Sequence, residues 1–239
     1  MLIPGRKPVG PVQIDWTHPL TDGLGVASYV LEHNKRIRDN ILGAGDYGYG
    51  SGYESAVTTF RYSGNGLQAY YDNSLPSSRG YYPRYKNLSS GSIRLSVSNV
   101  VAVGLGALWS FRTAISTATN TLVWRNTDSA VNFRINGSTV VLTSSRQIYS
   151  GGDLDIIFQW DDSANIRQLF VNGVLEDDDS TAFTWADSST NQFQLFADGS
   201  GAGTTEAWLN FWEVREGVVL SKGEVMSLHR DPYQFLIPA

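Results

Sequence analysis

The sequence contains no cysteine, so neither a disulfide framework nor a thiolate-bound metal can stabilise the chain. Charged residues make up only 17% of its 239 residues, below the roughly 25% of an average soluble domain. No apolar run approaches the ~18 residues of a membrane-spanning helix. The opening segment, MLIPGRKP, also lacks the apolar stretch of a signal peptide. We therefore expect a domain that depends on its own core, has no membrane partner and is not exported by the general secretory pathway.

Histidine and positive charge are scarce as well. The histidines His18, His33 and His229 do not have the spacing of zinc ligands, so zinc is not expected. The net charge of −5 argues against a polyanion-binding surface, and nucleic acid is not an expected partner.

Aromatic residues, by contrast, make up 12% of the chain, and there are 24 glycines. Aromatic, β-branched and turn-forming residues with few charges favour strands over helices. From about residue 56 the apolar positions recur with a period of two. Turn pairs such as Asn136-Gly137 and Asn172-Gly173 separate the runs. Many short strands without interleaved helices predict an all-β sandwich or jelly roll.

The N-terminal part divides into an arm and the start of the domain. Residues 1–20 hold Pro4, Pro8, Pro11 and Pro19 and predict an extended arm, since proline fixes φ and removes a donor. Residues 12–16 within it could form an edge strand. The arm either packs along its own domain or docks onto a neighbouring subunit. Residues 21–239 are predicted to form a single domain, in which residues 26–37 fit either a strand and loop or a short helix.

The C-terminal part carries the helix signal. Ser221 and Glu224 fit a capping box and predict a helix at about residues 221–230, which ends before Pro232. Residues 233–237 are apolar, so we expect this tail to pack on the sandwich.

Two blocks in the last hundred residues resemble the laminin-G-like, concanavalin A-like jelly-roll superfamily. They are LDIIFQW at 154–160 with RQLFVNGV at 167–174, and FWEVR at 211–215 with LS at 220–221 and EV at 224–225. The resemblance implies a concanavalin A-like jelly-roll β-sandwich with a short C-terminal helix. Two positions depart from the family pattern: Leu209 replaces the usual glycine and Trp212 the usual acid.

The two ends of the chain resemble bacteriophage and prophage members of this superfamily. The residues that carry this likeness are RKPVGP at 6–11, HPLTDGL at 18–24 and DPYQFLI at 231–237. It implies a virion protein with other virion proteins as partners.

The superfamily includes glucanases, so glycoside hydrolysis has to be considered. Such enzymes need two carboxylates across a cleft, and the glucanase pattern resembles E-x-D-x-x-E. The nearest string here, DLDIIF at 153–158, lacks an acid at its end. We expect Asp153 and Asp155 to lie on the solvent face at the start of a strand, and we predict that the protein is not an enzyme.

The acidic run Glu176-Asp177-Asp178-Asp179 raises the question of calcium, which prefers carboxylate and carbonyl oxygens. Consecutive acids rarely converge on one ion, and the EF-hand pattern is absent. We expect a solvated loop here and no cofactor, with a calcium site as the less favoured alternative.

Aromatic side chains on loops are the candidate ligand-binding residues. Most tryptophans fall in predicted strands and are expected in the core or at its edges. Aromatic rings exposed on loops could instead stack on sugar rings or anchor a protein interface. These candidates are Tyr47, Tyr49, Tyr53, Tyr81, Tyr82 and Trp185.

The leading prediction is a non-enzymatic bacteriophage virion protein: a capsid decoration, fibre or tail-associated subunit that acts by surface binding and forms a homo-oligomer. The alternative is a lectin-like module that binds host or environmental glycans. A glycoside hydrolase is the third and least favoured prediction.

Overall fold

The computed structural model describes residues 8, 10–29, 48–49, 57–63, 66–71, 79–81, 89–102, 105–114, 117–125, 130–135, 139–144, 153–181, 192–195 and 205–239. These residues form strands β1 to β17, a short 3-10 helix at Pro19–Thr21 and helix α1. In chain order the strands and helix are β1 (Val12–Ile14), β2 (Leu24–Tyr29), β3 (Gly48–Tyr49), β4 (Val57–Ser63), β5 (Gly66–Tyr71), β6 (Arg79–Tyr81), β7 (Ser90–Ala102), β8 (Leu105–Ala114), β9 (Thr117–Arg125), β10 (Ala130–Ile135), β11 (Thr139–Thr143), β12 (Asp153–Asp161), β13 (Ile166–Val171), β14 (Val174–Asp179), β15 (Gln192–Leu195), β16 (Thr205–Glu216), α1 (Lys222–Arg230) and β17 (Leu236–Pro238).

The strands build two large antiparallel sheets. The first has the order β11-β10-β9-β8-β15-β6-β3. The second has the order β14-β13-β12-β7-β16-β5-β4, with β2 also paired to β16. Strands β1 and β17 form a small separate sheet. The prediction of an all-β jelly-roll sandwich with a short C-terminal helix is therefore confirmed. No helix within the described ranges is long and apolar enough to span a membrane.

Strand β12 shows why the two large sheets stack. Leu154, Ile156, Phe158 and Trp160 alternate along it and are all buried, as a strand with one apolar face requires. Phe133, from β10 of the other sheet, stacks on Phe158 with ring centroids 3.8 Å apart. This face of β12 therefore belongs to the core between the two sheets, which we call the inner face of the second sheet.

The hairpin turns agree with the sequence where the structure describes them. Val171 pairs with Val174, so Asn172 and Gly173 form a two-residue turn. Their φ angles are 52° and 77°, the left-handed values that such a turn requires. Ile135 pairs with Thr139, which confirms the predicted hairpin but not its two-residue turn, because this register leaves three connecting residues, 136–138, which lie outside the described residues.

The opposite, outer face of the second sheet is covered by helix α1 and both chain ends. Ser221 accepts a hydrogen bond from the Glu224 amide, Glu224 caps in return, and the predicted helix is confirmed. A buried apolar cluster joins this cover to the sheet. It contains Ile14, Leu20, Leu24, Ala27, Tyr29, Ile157, Phe170, Phe211, Leu220, Val225, Leu228, Tyr233, Phe235 and Leu236.

The chain ends meet in the small sheet. Strand β1 pairs with β17 so that Val12 lies opposite Pro238 and Ile14 opposite Leu236. The predicted edge strand is thus present, shortened to three residues. The apolar tail packs on the sandwich as expected, with Phe235 and Leu236 buried. The range 26–37 was predicted as either a strand and loop or a short helix. Its described part, residues 26–29, belongs to strand β2, and residues 30–37 lie outside the described residues.

The acidic run at 176–179 is not the loop that the sequence suggested. It belongs to edge strand β14, where Asp177, Asp178 and Asp179 pair with β13 and Glu176 lies at a bulge. The carboxylate of Asp177 accepts a 2.7 Å hydrogen bond from the Thr143 amide, and Asp179 lies 2.6 Å from the Arg167 guanidinium. The acids can occupy a strand because the neighbouring strands supply donors and a positive charge for them.

Candidate functional site

A cavity of about 310 Å³ opens on the outer face, between β7, β12 and β16 of the second sheet and the last turn of α1. We call it the outer-face pocket. Its lining includes Arg94 and Asp155, together with the hydrogen-bonding side chains of Ser96, Asn172, Asn210 and His229. The volume lies within the range of small-ligand sites.

Arg94 is placed by the alternation of β7, where Ile93 and Leu95 face the core and Arg94 faces outwards under helix α1. Its side chain is only 1% exposed. Its Nε and Nη2 atoms donate to the two Asp155 carboxylate oxygens at 2.8 and 2.9 Å. Nη2 also donates to the Leu228 carbonyl at 2.8 Å. The guanidinium thus binds the sheet to the helix and is largely occupied by partners within the protein.

Asp155 corrects one prediction from the sequence. Asp153 is exposed as expected, but Asp155 is only 8% exposed, because helix α1 covers that part of the outer face. Burial raises the pKa of Asp155, but the Arg94 charge and hydrogen bonds from His229 and Arg94 outweigh it and lower the pKa from 3.8 to about 2. The Asp155 carboxylate is therefore ionised at neutral pH.

Glu213, on β16, extends the charged network. It is fully buried, and its Oε2 accepts from Arg215 Nη1 at 2.6 Å, while its Oε1 lies 3.3 Å from Arg94 Nη1. The Tyr29 hydroxyl also donates to Oε1. Burial and the Glu213 charge raise the pKa of Tyr29 well above its usual value. Two carboxylates and two guanidinium groups thus balance one another beneath the helix.

His229, in the last turn of α1, is the most accessible part of this network. Its Nδ1 lies 3.2 Å from Asp155 Oδ2, and its side chain is 35% exposed. Since the carboxylate is ionised, Nδ1 donates to it, and in the neutral imidazole Nε2 is left as an acceptor. Within the described ranges no hydroxyl is hydrogen-bonded to His229, so Asp155 and His229 form a pair without an attached nucleophile.

The glycosidase roles considered for Asp153 and Asp155 fit this geometry poorly. A general acid in glycoside hydrolysis needs a raised pKa, whereas the pKa of Asp155 is lowered. Both of its oxygens already accept hydrogen bonds from Arg94. In the part of the chain that the structure describes, no group of three or more His, Asp or Glu residues could hold a metal ion.

Of the six loop aromatics predicted as ligand-binding residues, the structure describes the backbone of two. Tyr49 lies on β3 opposite Gly80, and Tyr81 lies on β6 opposite Gly48. The two tyrosines are thus brought to neighbouring strands at the edge of the first sheet. The other four lie outside the described residues: Tyr47, Tyr53, Tyr82 and Trp185.

The residues of the outer-face pocket were not predicted as a binding site, although Asp153, Asp155 and His229 were considered for other roles. A signal was available, because Arg94, Asp155 and Glu213 each stand between large apolar residues in a run of period two. A charged residue between the apolar positions of such a strand indicates a face with a special environment. Trp160 and Trp212 are in the core as expected, but Trp16 is 59% exposed, which contradicts the prediction that it packs at the core or its edge.

No protein-family profile and no curated protein sequence matches the chain. Solved structures do resemble it. Domain 4 of AbnA, a GH43 extracellular arabinanase from Geobacillus stearothermophilus solved with arabinotriose, has a TM-score of 0.68 at 14% identity. That match covers 86% of this chain and 98% of that domain.

Two further structures support the same architecture. The CBM40 module of Ruminococcus gnavus IT-sialidase, bound to alpha2,3 sialyllactose, has a TM-score of 0.53 at 17% identity and covers 64% of this chain and 92% of the module. The binding domain of Paraclostridial Mosquitocidal Protein 1 has a TM-score of 0.64 at 12% identity over 88% of this chain, which spans 52% of that structure. At these identities the likeness establishes the fold alone: this is a jelly-roll β-sandwich similar to carbohydrate-binding and hydrolase-associated domains.

Proposed function

We propose that this protein is a non-catalytic glycan-binding module and that the outer-face pocket contacts the sugar. The observation that carries the proposal is the chemistry of the lining. Ser96, Asn172 and Asn210 supply neutral hydrogen-bonding groups beside the apolar surfaces of Phe211 and Tyr233. Hydrogen-bonding groups next to the edges of aromatic side chains can match the hydroxyls and the C–H groups of a sugar.

The state of the charges in the pocket favours a neutral sugar. Arg94 is held by Asp155 and Glu213, so its guanidinium is not available to pair with a ligand carboxylate. The exposed Asp153 carboxylate and the exposed Arg230 guanidinium on the pocket lining offset each other in charge, so the pocket offers an acidic sugar no net positive charge. We therefore expect neutral oligosaccharides to bind more tightly than sialylated ones.

The solved structures support the proposal by analogy. The arabinanase domain was solved with arabinotriose and the sialidase module with sialyllactose. Both are sandwiches of the same architecture, and a shared fold hosts many functions, so direct binding measurements are needed.

The test is titration calorimetry of the protein with arabinotriose, xylotriose, cellotriose and sialyllactose. We expect one neutral trisaccharide to bind, and we expect Ser96→Ala and His229→Ala to weaken that binding. Lys222→Ala is the matched control, because Lys222 is exposed on the first turn of the same helix. An absence of binding to every sugar would contradict the proposal. Release of reducing sugar that is lost in Asp155→Asn would replace it with a hydrolase.

A virion-borne form of this module is the second candidate, and one observation favours it. Strand β1, which lies between the two phage-like segments of the arm, pairs with β17 at the end of the phage-like tail, so the two chain ends meet as one unit in the small sheet. A phage subunit that recognises a host-surface glycan would use both the pocket and this unit, and would act as a homo-oligomer. Light scattering of the purified protein tests this candidate: a defined oligomer supports it and a monomer contradicts it.

A further inference from the structure

We infer that the groove around Trp16 is a second sugar-contact site, in which the indole ring stacks on the apolar face of a neutral sugar. The inference rests on the proposed glycan-binding function, but it concerns a different part of the molecule. The groove has a volume of about 470 Å³ and runs along residues 16–24, between the arm and the start of β2. We call it the Trp16 groove.

The exposure of Trp16 is the first observation. Trp16 is 59% exposed, although removing a large aromatic ring from water usually stabilises the folded protein. Neighbouring apolar residues in the same segment, Leu20 and Leu24, are buried in the cluster under α1. The exposed ring also lines a groove, and tryptophan is enriched at contact surfaces because its ring is apolar while its N–H can bind a partner.

The backbone around Trp16 is held in place before any ligand binds. The Asp15 carboxylate accepts hydrogen bonds from the Thr17 amide at 3.0 Å and from the Thr17 hydroxyl at 2.6 Å. The His18 amide donates to the Asp15 carbonyl at 3.0 Å, and the Thr21 amide donates to the His18 carbonyl at 3.0 Å. A preorganised loop lowers the entropy that binding costs.

The polar groups around the ring suit hydroxyl ligands. His18 Nδ1 accepts from the Leu20 amide at 3.2 Å, so Nε2 of the neutral imidazole carries the proton and can donate. The exposed Thr17 and Asp22 side chains also line the groove and offer acceptor oxygens. One flat apolar ring flanked by a donor and acceptors matches a sugar with one C–H face and hydroxyls at its edge.

Alternative partners fit this surface less well. Among the large hydrophobic side chains that the structure describes, those exposed are Trp16 and Ile237. This apolar area is small beside the roughly 800 Å² that each partner buries in a stable protein interface. The carboxylates of Asp15 and Asp22 disfavour a phosphate or an acidic sugar.

The experiment compares the wild-type protein with Trp16→Ala, Trp16→Phe and Ile237→Ala, each titrated with arabinotriose, xylotriose and cellotriose. We expect Trp16→Ala to lose about tenfold or more in affinity, equivalent to the free energy of one aromatic contact. Trp16→Phe should keep most of the affinity because a ring remains. Ile237→Ala, which removes the other exposed hydrophobic side chain, should bind like the wild type.

Two measurements separate binding from folding. Because Trp16 is mostly exposed, Trp16→Ala should unfold at the wild-type temperature. A bound trisaccharide should also shift the tryptophan fluorescence of the wild type but not that of Trp16→Phe.

The failure of this inference can be told apart from the failure of the proposed function. If the wild type and Trp16→Ala bind a trisaccharide equally well, the Trp16 groove is not a sugar site, while the glycan-binding function stands. If the wild type binds none of the sugars, both proposals are overturned. If the wild type self-associates and Trp16→Ala is monomeric, the groove is an interface between copies of the chain and the sugar inference is wrong.

Discussion

The two faces of the second sheet are built from the same strands but hold the molecule together differently. On the inner face, Phe158 of β12 stacks on Phe133 of the other sheet and on Trp160 of its own strand. On the outer face, at alternate positions of β7, β12 and β16, Arg94, Asp155 and Glu213 form a buried network of opposite charges. The stability of the inner face depends on the volume that its side chains fill, and neighbouring side chains can partly refill a gap. The outer face depends on pairing, since each buried charge is stabilised by specific partners.

The largest effect is expected from a cavity on the inner face. Phe158→Ala should lower the free energy of unfolding by about 4 kcal/mol, because the stacked ring leaves a hole beside Phe133. Ile156→Val removes one methylene group from the same face and should cost only about 1 kcal/mol. Urea denaturation of both variants measures this dependence on volume. Equal losses of unfolding free energy would contradict the prediction that the cost on the inner face rises with the volume removed.

A change of charge at nearly constant volume should break the outer face. Glu213→Gln keeps the size of a fully buried side chain but leaves Arg215 and Arg94 without their shared carboxylate. We expect a loss of about 3 kcal/mol, as for removal of one partner of a buried ion pair. Urea denaturation measures this loss, with Ile156→Val as the control because it makes only a small change of volume on the inner face. If Glu213→Gln lost no more unfolding free energy than Ile156→Val, the outer face would not depend on charge pairing.

The pH dependence of stability should separate the faces further. The pKa of Asp155 is lowered on folding from 3.8 to about 2. Its stabilisation is therefore complete above about pH 4 and is lost as the pH falls towards 2, which amounts to roughly 2 kcal/mol. The stability gap between the wild type and Asp155→Asn should narrow over this range.

The inner-face variant Phe158→Ala is the control for this pH experiment. It carries no titrating group, so its gap to the wild type should stay constant between pH 4 and pH 2. A gap for Asp155→Asn that also stayed constant would contradict the role assigned to the ionised carboxylate.

The smallest predicted effect concerns the contact between the hairpin turn and the outer-face helix. A Cβ at Gly173, where φ is +77°, would meet His229 Cβ and Cδ2 at 3.0 Å. Gly173→Ala should cost about 1.5 kcal/mol, from left-handed strain and displacement of His229. Gly217→Ala is the matched control, because its φ is +68° with nothing within 4 Å, and it should cost about 1 kcal/mol. Thermal unfolding of both variants measures the difference, and equal losses would show that the turn does not press on His229.

The fold could be predicted because its signals are local. Alternation in the strands, the left-handed turn at Asn172-Gly173 and the capping box at Ser221 each act within a few residues. The acidic run at 176–179 was misjudged because its donors come from elsewhere, such as the Thr143 amide. Local composition alone cannot show which strand will lie beside a charged segment.

The candidate sites were mostly hidden in the sequence for a similar reason. Asp155, Arg94 and His229 are far apart along the chain, and they meet because α1 returns across the outer face. The exposure of Trp16 depends on how the arm turns between Asp15 and His18. Tyr49 and Tyr81, predicted on loops, lie on the neighbouring strands β3 and β6, and their role in ligand binding stays a prediction.

The pairing of β1 with β17 also fixes where the polypeptide enters and leaves the domain. The Ala239 amide donates to the Pro11 carbonyl at 3.2 Å, so the first strand of the domain begins beside the end of the last one. A short linker could join them without disturbing the sandwich, and new ends could be opened at an exposed turn such as residues 162–165. This topology makes the domain suitable for circular permutation, and equally for insertion as a whole into a surface loop of a host protein.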